Sequence, residues 1–196
     1  MGATRVLAEA IVEGQGSEPN PGLQWAVRLL QLDSLQDWQR LLLSNRYLFA
    51  LLEALSGNVP ISASLRVAEA AQQVLEDLCR RAPDSAECAR GLSVSYSKLG
   101  DLHRALGQME RALDYHQRAL AIREDLHRRA PDSAQFARDL VVTLTRLTAC
   151  HSQLGDFRTA DRYARQCRDV LKAMQAAGMP LDPPLRALLD RLSHIG

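Results

Sequence analysis

Aromatic side chains are scarce in this 196-residue chain: three Phe, four Tyr and two Trp, or 5% of the residues. β-Branched residues are thin as well, with Ile, Val and Thr at 19 positions against 60 for Leu and Ala. Sheets collect aromatic and β-branched residues, whereas Leu and Ala lose little rotamer freedom on entering a helix. The shortage argues against a β-sandwich, a barrel or a parallel-sheet enzyme and predicts an all-α fold. An excess of one charge is also missing. Lys and Arg number 24 against 23 acids, a net charge of +1, so no global field draws the chain to nucleic acid or to an anionic membrane. Disorder is disfavoured by the same numbers, because 46% of the residues are hydrophobic.

Long apolar runs are lacking, and none approaches the ~18–20 residues that a bilayer crossing requires. The opening MGATRVLAEAIVEG holds Glu9 inside its short apolar stretch and has no cleavage pattern, so no secretory signal is expected. Val6 stands where a myristoylation pattern wants Ser or Thr. Cysteines number four (Cys79, Cys88, Cys150, Cys167) with no C-x-x-C, which speaks against a zinc site or a disulfide framework. They read as reduced, mostly buried small hydrophobes of a cytoplasmic protein. Lysine is nearly absent: Lys98 and Lys172 stand beside 22 Arg. Codon usage accounts for such a bias; selection for bidentate carboxylate binding is the sharper reading.

What the chain does contain is a repeat. Shifted by 48 residues, APDSAECARGLSVSYSKL (82–99) falls on APDSAQFARDLVVTLTRL (130–147), and blocks 82–129 and 130–177 agree at 15 of 48 positions. Helix starts keep the same beat. Asp84-Ser85-Ala86-Glu87 and Asp132-Ser133-Ala134-Gln135 have the form of Asp-capped boxes, with Asp33-Ser34-Leu35-Gln36 upstream and Asp182-Pro183-Pro184 downstream. Leu92, Tyr96, Leu99, His103 and Leu106 make a stripe at helical spacing. Leu140, Leu144, Leu147, His151 and Leu154 repeat it, and Leu41, Asn45, Leu48, Leu52 and Leu55 anticipate it.

A glycine closes each of these helices (Gly57, Gly107, Gly155), and partner helices are predicted over 61–81, 109–129 and 157–177. On the middle partner, Asp114–Arg118, Glu124–Arg128 and Asp125–Arg129 are acid-first i,i+4 pairs of a solvated face. The expected organisation is a helical segment with a Gly/Pro loop at 1–32, units at 33–81, 82–129 and 130–177, and a capping helix within 178–196, over 183–194.

Tyr96-x-x-Leu99-Gly100-x-x-His103, followed by Gly107, Ala112, His116 and Ala119, resembles a tetratricopeptide repeat. Gly100, Ala112 and Ala119 are small where two antiparallel helices approach closely. RALDYHQRALAIRE (111–124) is similar to second helices of kinesin-light-chain-like repeats and of long bacterial arrays. The period of 48–51 exceeds the family's usual 34, so longer helices are expected. The third unit departs moderately, with Leu144, Leu147, Thr148, His151, Ala160, Ala164 and Cys167 at the matching places. The first, with no Gly after Leu48, departs most. The resemblance implies a right-handed α-solenoid of antiparallel helix pairs, a superhelix with an N-terminal helical extension and a C-terminal cap.

No catalytic constellation stands out: H-E-x-x-H, a glycine-rich phosphate loop and G-x-S-x-G are all missing. No enzyme activity, cofactor or metal is expected. His103 and His151 are equivalent under the 48-residue shift, which favours a structural role filling an aromatic slot. A Cys150–His151–Cys167 thiol–imidazole grouping has no third, orienting residue.

Binding is the better prospect. The resemblance places first helices on the concave side, where a peptide or partner helix docks, as in an adaptor or scaffold. Its inward positions include Arg46, Ala50 and Glu53, then Val94, Ser97, Lys98, Asp101 and Arg104, then Val142, Thr145, Arg146, Ala149 and Ser152. Arg46, Ser97, Lys98, Asp101, Arg104, Thr145, Arg146 and Ser152 form the candidate partner groove. Its cations suit an acidic ligand or a free carboxylate, set against acidic outer helices. The family's carboxylate clamp for chaperone tails is not reproduced, since Ala50 and Val94 stand where polar residues are needed. A peptide-sensing regulator whose repeats repack on binding is the alternative. Trp25, Trp38, Tyr47 and Phe49 either cap the first face or leave an apolar patch for a homo-oligomer.

Overall fold

A computed structural model describes residues 61–193. They form six helices and, among the described residues, no strand: α1 (Ile61–Arg81), α2 (Ala86–Ala105), α3 (Met109–Arg129), α4 (Ala134–Gln153), α5 (Phe157–Ala176) and α6 (Pro183–Ser193). The three partner helices and the C-terminal helix lie within a residue of their predicted ends. The helices expected before residue 61, together with Arg46 and the aromatic segment 25–49, lie outside the described residues. The chain divides into two compact units, Met1–Gln108 and Met109–Gly196. That boundary falls between the two helices that the repeat period groups as 82–129.

In the first unit α1 packs on α2. Ala68, Ala71, Val74, Leu75 and Leu78 line the buried side of α1, and Cys88, Tyr96 and Leu99 that of α2. Fully burying a leucine such as Leu75 or Leu99 contributes about 1.5–3 kcal/mol. The Tyr96 hydroxyl donates to Glu76 Oε1 at 2.7 Å, which also accepts from Gln72 Nε2 at 2.8 Å. A phenol buried on its apolar body thereby keeps its polar tip satisfied.

The second unit is a run of sequential neighbours: α3 packs on α4, α4 on α5, and α5 on α6. Its core joins Leu140, Val141, Leu144 and Leu147 of α4 to Tyr163, Cys167, Leu171 and Met174 of α5, and to Leu189 and Leu192 of α6. Arg138 of α4 holds the segment before α6, bonding Asp182 at 2.9 Å and the Pro180 carbonyl at 2.9 Å. Arg123 of α3 is buried and donates to the Asp139 carbonyl at 2.8 Å and to Thr143 Oγ1. The shift of 48 opposes Arg123 to Leu171, so this buried polar tie was not visible in the repeat.

Helix ends agree with the sequence in kind but differ in register. Ser85 and Ser133, not Asp84 and Asp132, cap α2 and α4, each Oγ accepting from the backbone three residues on, Cys88 N and Phe136 N. Both serines are extended, with ψ near 106° and 104°, as a cap requires. Cys88 and Phe136 cannot return the bond, so neither start is a capping box. Asp182 does cap α6, its Oδ1 accepting from Leu185 N at 3.1 Å.

The C-terminal ends of α2, α4 and α5 share one motif. Gly107, Gly155 and Gly178 take φ of 74°, 76° and 68°, and the next residue donates to a carbonyl five positions back. Those bonds are Gln108 to His103, Asp156 to His151 and Met179 to Met174, each 2.9 Å. Because the helices stop there, Leu106 and Leu154 sit at the C-caps, 38% and 50% exposed, rather than completing their stripes in the core. On α3, Asp114–Arg118 (2.9 Å) and Asp125–Arg129 (3.6 Å) form as expected, while Arg128 pairs with Asp125 instead of Glu124.

Candidate functional site

α4 has neighbours on two sides, α3 and α5, and little of its surface reaches solvent. Ala137, Leu140, Val141, Thr143, Leu144, Leu147 and Cys150 are buried. Val142, Thr145, Ala149 and Ser152 are exposed and recur at spacings of three, four and three, which puts them on one stripe. Arg146 flanks the stripe, half-buried. Thr145 Oγ1 donates to its own helix at Val141 O (2.9 Å), so its methyl and Val142 give the stripe an apolar component. The third-unit positions expected to face a partner are therefore accessible, with Arg146 partly so.

The equivalent helix α2 differs. Arg104 is exposed, and Val94, Lys98 and Asp101 are half-buried. Ser97 is buried, only 3% exposed, and cannot meet a partner; it leaves the candidate set. Ser93 satisfies its hydroxyl by donating to Arg90 O at 2.7 Å, whereas the buried Ser95 and Ser97 hydroxyls have no hydrogen-bond partner among the described residues. Helical spacing gave Ser97 and Thr145 the same address, but spacing does not determine what surrounds an address.

Residues 91–173, from α2 into α5, match the tetratricopeptide repeat family model. These are tetratricopeptide repeats. Repeats of this family generally mediate protein–protein interaction and are typically non-catalytic. No curated protein matches the chain.

Within the tetratricopeptide repeats the two equivalent histidines tie helix ends. His103 is 1% exposed, and its Nδ1 donates to Gln108 Oε1 at 2.7 Å. His151 Nδ1 donates to Asp156 Oδ2 at 3.2 Å, with its ring tilted against Tyr163 at 5.6 Å between centroids. Each bond spans the glycine turn from the last helical turn to the residue after the glycine. Asp156 also caps α5 and accepts from Thr159 N at 3.1 Å. Bonds from Thr159, side chain first and then backbone, hold its carboxyl below the ordinary carboxylate value, and His151 adds a smaller pull.

All four thiols are free, and Cys88, Cys150 and Cys167 are buried. Burial pushes the Cys167 thiol up, with Thr145 Oγ1 3.8 Å from its sulfur. Burial first, and then the neighbouring Cys88 thiol, push Cys79 up to about 12. Burial thus favours the protonated form of Cys79 and Cys167. Among the described residues no three His, Cys, Asp or Glu side chains are grouped to hold a metal, and no helix is long and apolar enough to cross a membrane.

Proposed function

We propose that this chain is an adaptor or scaffold module that holds an extended peptide or a partner helix against α4, a first helix of its repeats. One observation carries the reading: α4 is buried around most of its circumference, yet a single stripe of Val142, Thr145, Ala149 and Ser152 remains exposed. A core helix with one small, mixed apolar and polar strip left open suits a side-on ligand, whose shape supplies most of the specificity. An acidic ligand is the finer part of the proposal. It rests on Arg146, half-buried beside the α4 stripe. Each such surface charge contributes only ~0.2–1 kcal/mol, so acidity tunes binding rather than creating it. Free thiols throughout suit a reducing, cytosolic setting.

The test is affinity capture from the source cell with the wild-type chain beside a Thr145→Arg, Ala149→Arg variant, whose bulk fills the stripe. At least one captured protein should fall about tenfold, the scale of a lost interface anchor. An identical set of captured proteins would sink the proposal. Arg146→Ala should weaken the same partner less, and more visibly at low salt.

A further inference from the structure

The solvent side of α5 was expected to be acidic and is not. Its core side holds Ala160, Tyr163, Ala164, Cys167, Leu171 and Met174. On the opposite side Arg158, Arg162, Arg165 and Lys172 are exposed at helical spacing. The acids of this helix are already engaged: Asp161 by Arg165 at 2.7 Å, and Asp169 by Arg168 at 3.5 Å. Arg158, Arg162 and Lys172 have no acidic partner among the described residues. Arg162 instead lies over the Tyr163 ring, 5.2 Å from its centroid.

At the start of this helix, directly before Arg158, is the most exposed large hydrophobic side chain among the described residues. Phe157, the first residue of α5, is 70% exposed, and Leu154 on the preceding turn is 50% exposed. An isolated apolar residue on a surface needs no explanation. An aromatic ring and a leucine at the start of a helix whose unpaired Arg158 and Arg162 follow within two turns have the composition of an interface: a desolvating anchor with cations along the helix beyond it and the Asp156 cap before it.

We propose that the solvent face of α5, with Phe157 and Leu154 at its start, is a second docking surface, for an acidic segment of another protein that carries an apolar side chain. Charge complementarity selects the occupant, since this face repels a basic segment. Arginine at two of the three positions suits carboxylates through bidentate bonds. The apolar side chain of the partner covers Phe157 and Leu154. The α5 variants and the α4-stripe variant alter different residues, so failure of this surface and failure of the stripe can be told apart.

The experiment uses the full chain and a fluorescein-labelled peptide of about 15 residues, roughly four helical turns, with Glu and Leu at helical spacing. Fluorescence anisotropy at low salt measures binding, beside a Glu-only peptide and a single-stranded oligonucleotide. Arg158→Glu with Arg162→Glu should weaken the Glu/Leu peptide about tenfold or more, and Phe157→Ser about fivefold. Phe157→Leu should restore most of the latter loss, and the Thr145→Arg, Ala149→Arg variant should bind as wild type. All these side chains are exposed, so unchanged far-UV circular dichroism is expected for every variant. The proposal is overturned if the wild type does not bind the peptide, or if either α5 variant binds it unchanged. It is equally overturned if the Glu-only peptide or the oligonucleotide binds as tightly, which would make the face a nonspecific polyanion surface.

Discussion

Helices α2 and α4 occupy the same place in successive repeats, begin with the same serine cap and end in the same glycine turn, yet their exposed positions differ. Thr145 of α4 faces solvent, while its counterpart Ser97 of α2 is buried with an unpartnered hydroxyl. Ala149 is exposed where Asp101 is half-buried. The terminal histidine bond is conserved in form but differs in chemistry, with a neutral acceptor at Gln108 and a carboxylate at Asp156. Duplication thus preserved the backbone framework and left the outward residues of each copy to separate uses.

The largest test of that contrast puts one charge at both addresses. Ser97→Asp places a carboxylate where no partner or water reaches it and should cost about 3 kcal/mol or more. Thr145→Asp should stay within about 0.5 kcal/mol, as exposed substitutions do. Urea unfolding followed by circular dichroism measures both, and equal costs would erase the distinction. A smaller test asks whether the shared framework is equivalent. Added Cβ atoms at Gly107 and Gly155 meet nothing within 4 Å, so alanine costs only the positive φ, about 1–2 kcal/mol at each site. Unequal losses in thermal melts would show that the two turns are not alike.

The smallest effect separates the two histidine ties by pH. The Asp156 carboxyl is depressed in the folded chain, so its contribution is present above the ordinary Asp value of about 4 and is lost as pH falls through the lower folded value. Asp156→Asn should flatten that part of the acid limb of the stability curve. Gln108→Glu should leave the cap bonds of α5 unaltered. An acid limb identical in Asp156→Asn and wild type would show that the Thr159 and His151 bonds do not favour the ionised form.

Much of the fold was legible because helix formation and helix ending are local. Leu and Ala periodicity, the 48-residue echo and the two glycines placed α1, α3, α5 and α6 within a residue. The caps were misread by one position, because Asp and Ser are both good cap residues and only the extended backbone at Ser85 and Ser133 decides between them. The stripes ran one residue too far, since periodicity carried on to Leu106 and Leu154 while the chain had already turned. Arg123 was invisible for the opposite reason: its role depends on a carbonyl and a hydroxyl of α4, 16 and 20 residues away.

The candidate site was legible only as a set of addresses. The tetratricopeptide resemblance put Val142, Thr145, Ala149 and Ser152 on the inward side of a helix, and the structure leaves that side open. The resemblance likewise nominated Ser97, which is closed. The scarcity of aromatics and β-branched residues, with the repeat, determined an all-α chain of helix pairs, because propensity, periodicity and turn chemistry act within a few residues of each other. Which side of each helix meets solvent, which acids already hold an arginine, and where Phe157 is left uncovered were decided only by tertiary structure. Burial and pairing belong to neighbours brought together from distant parts of the chain.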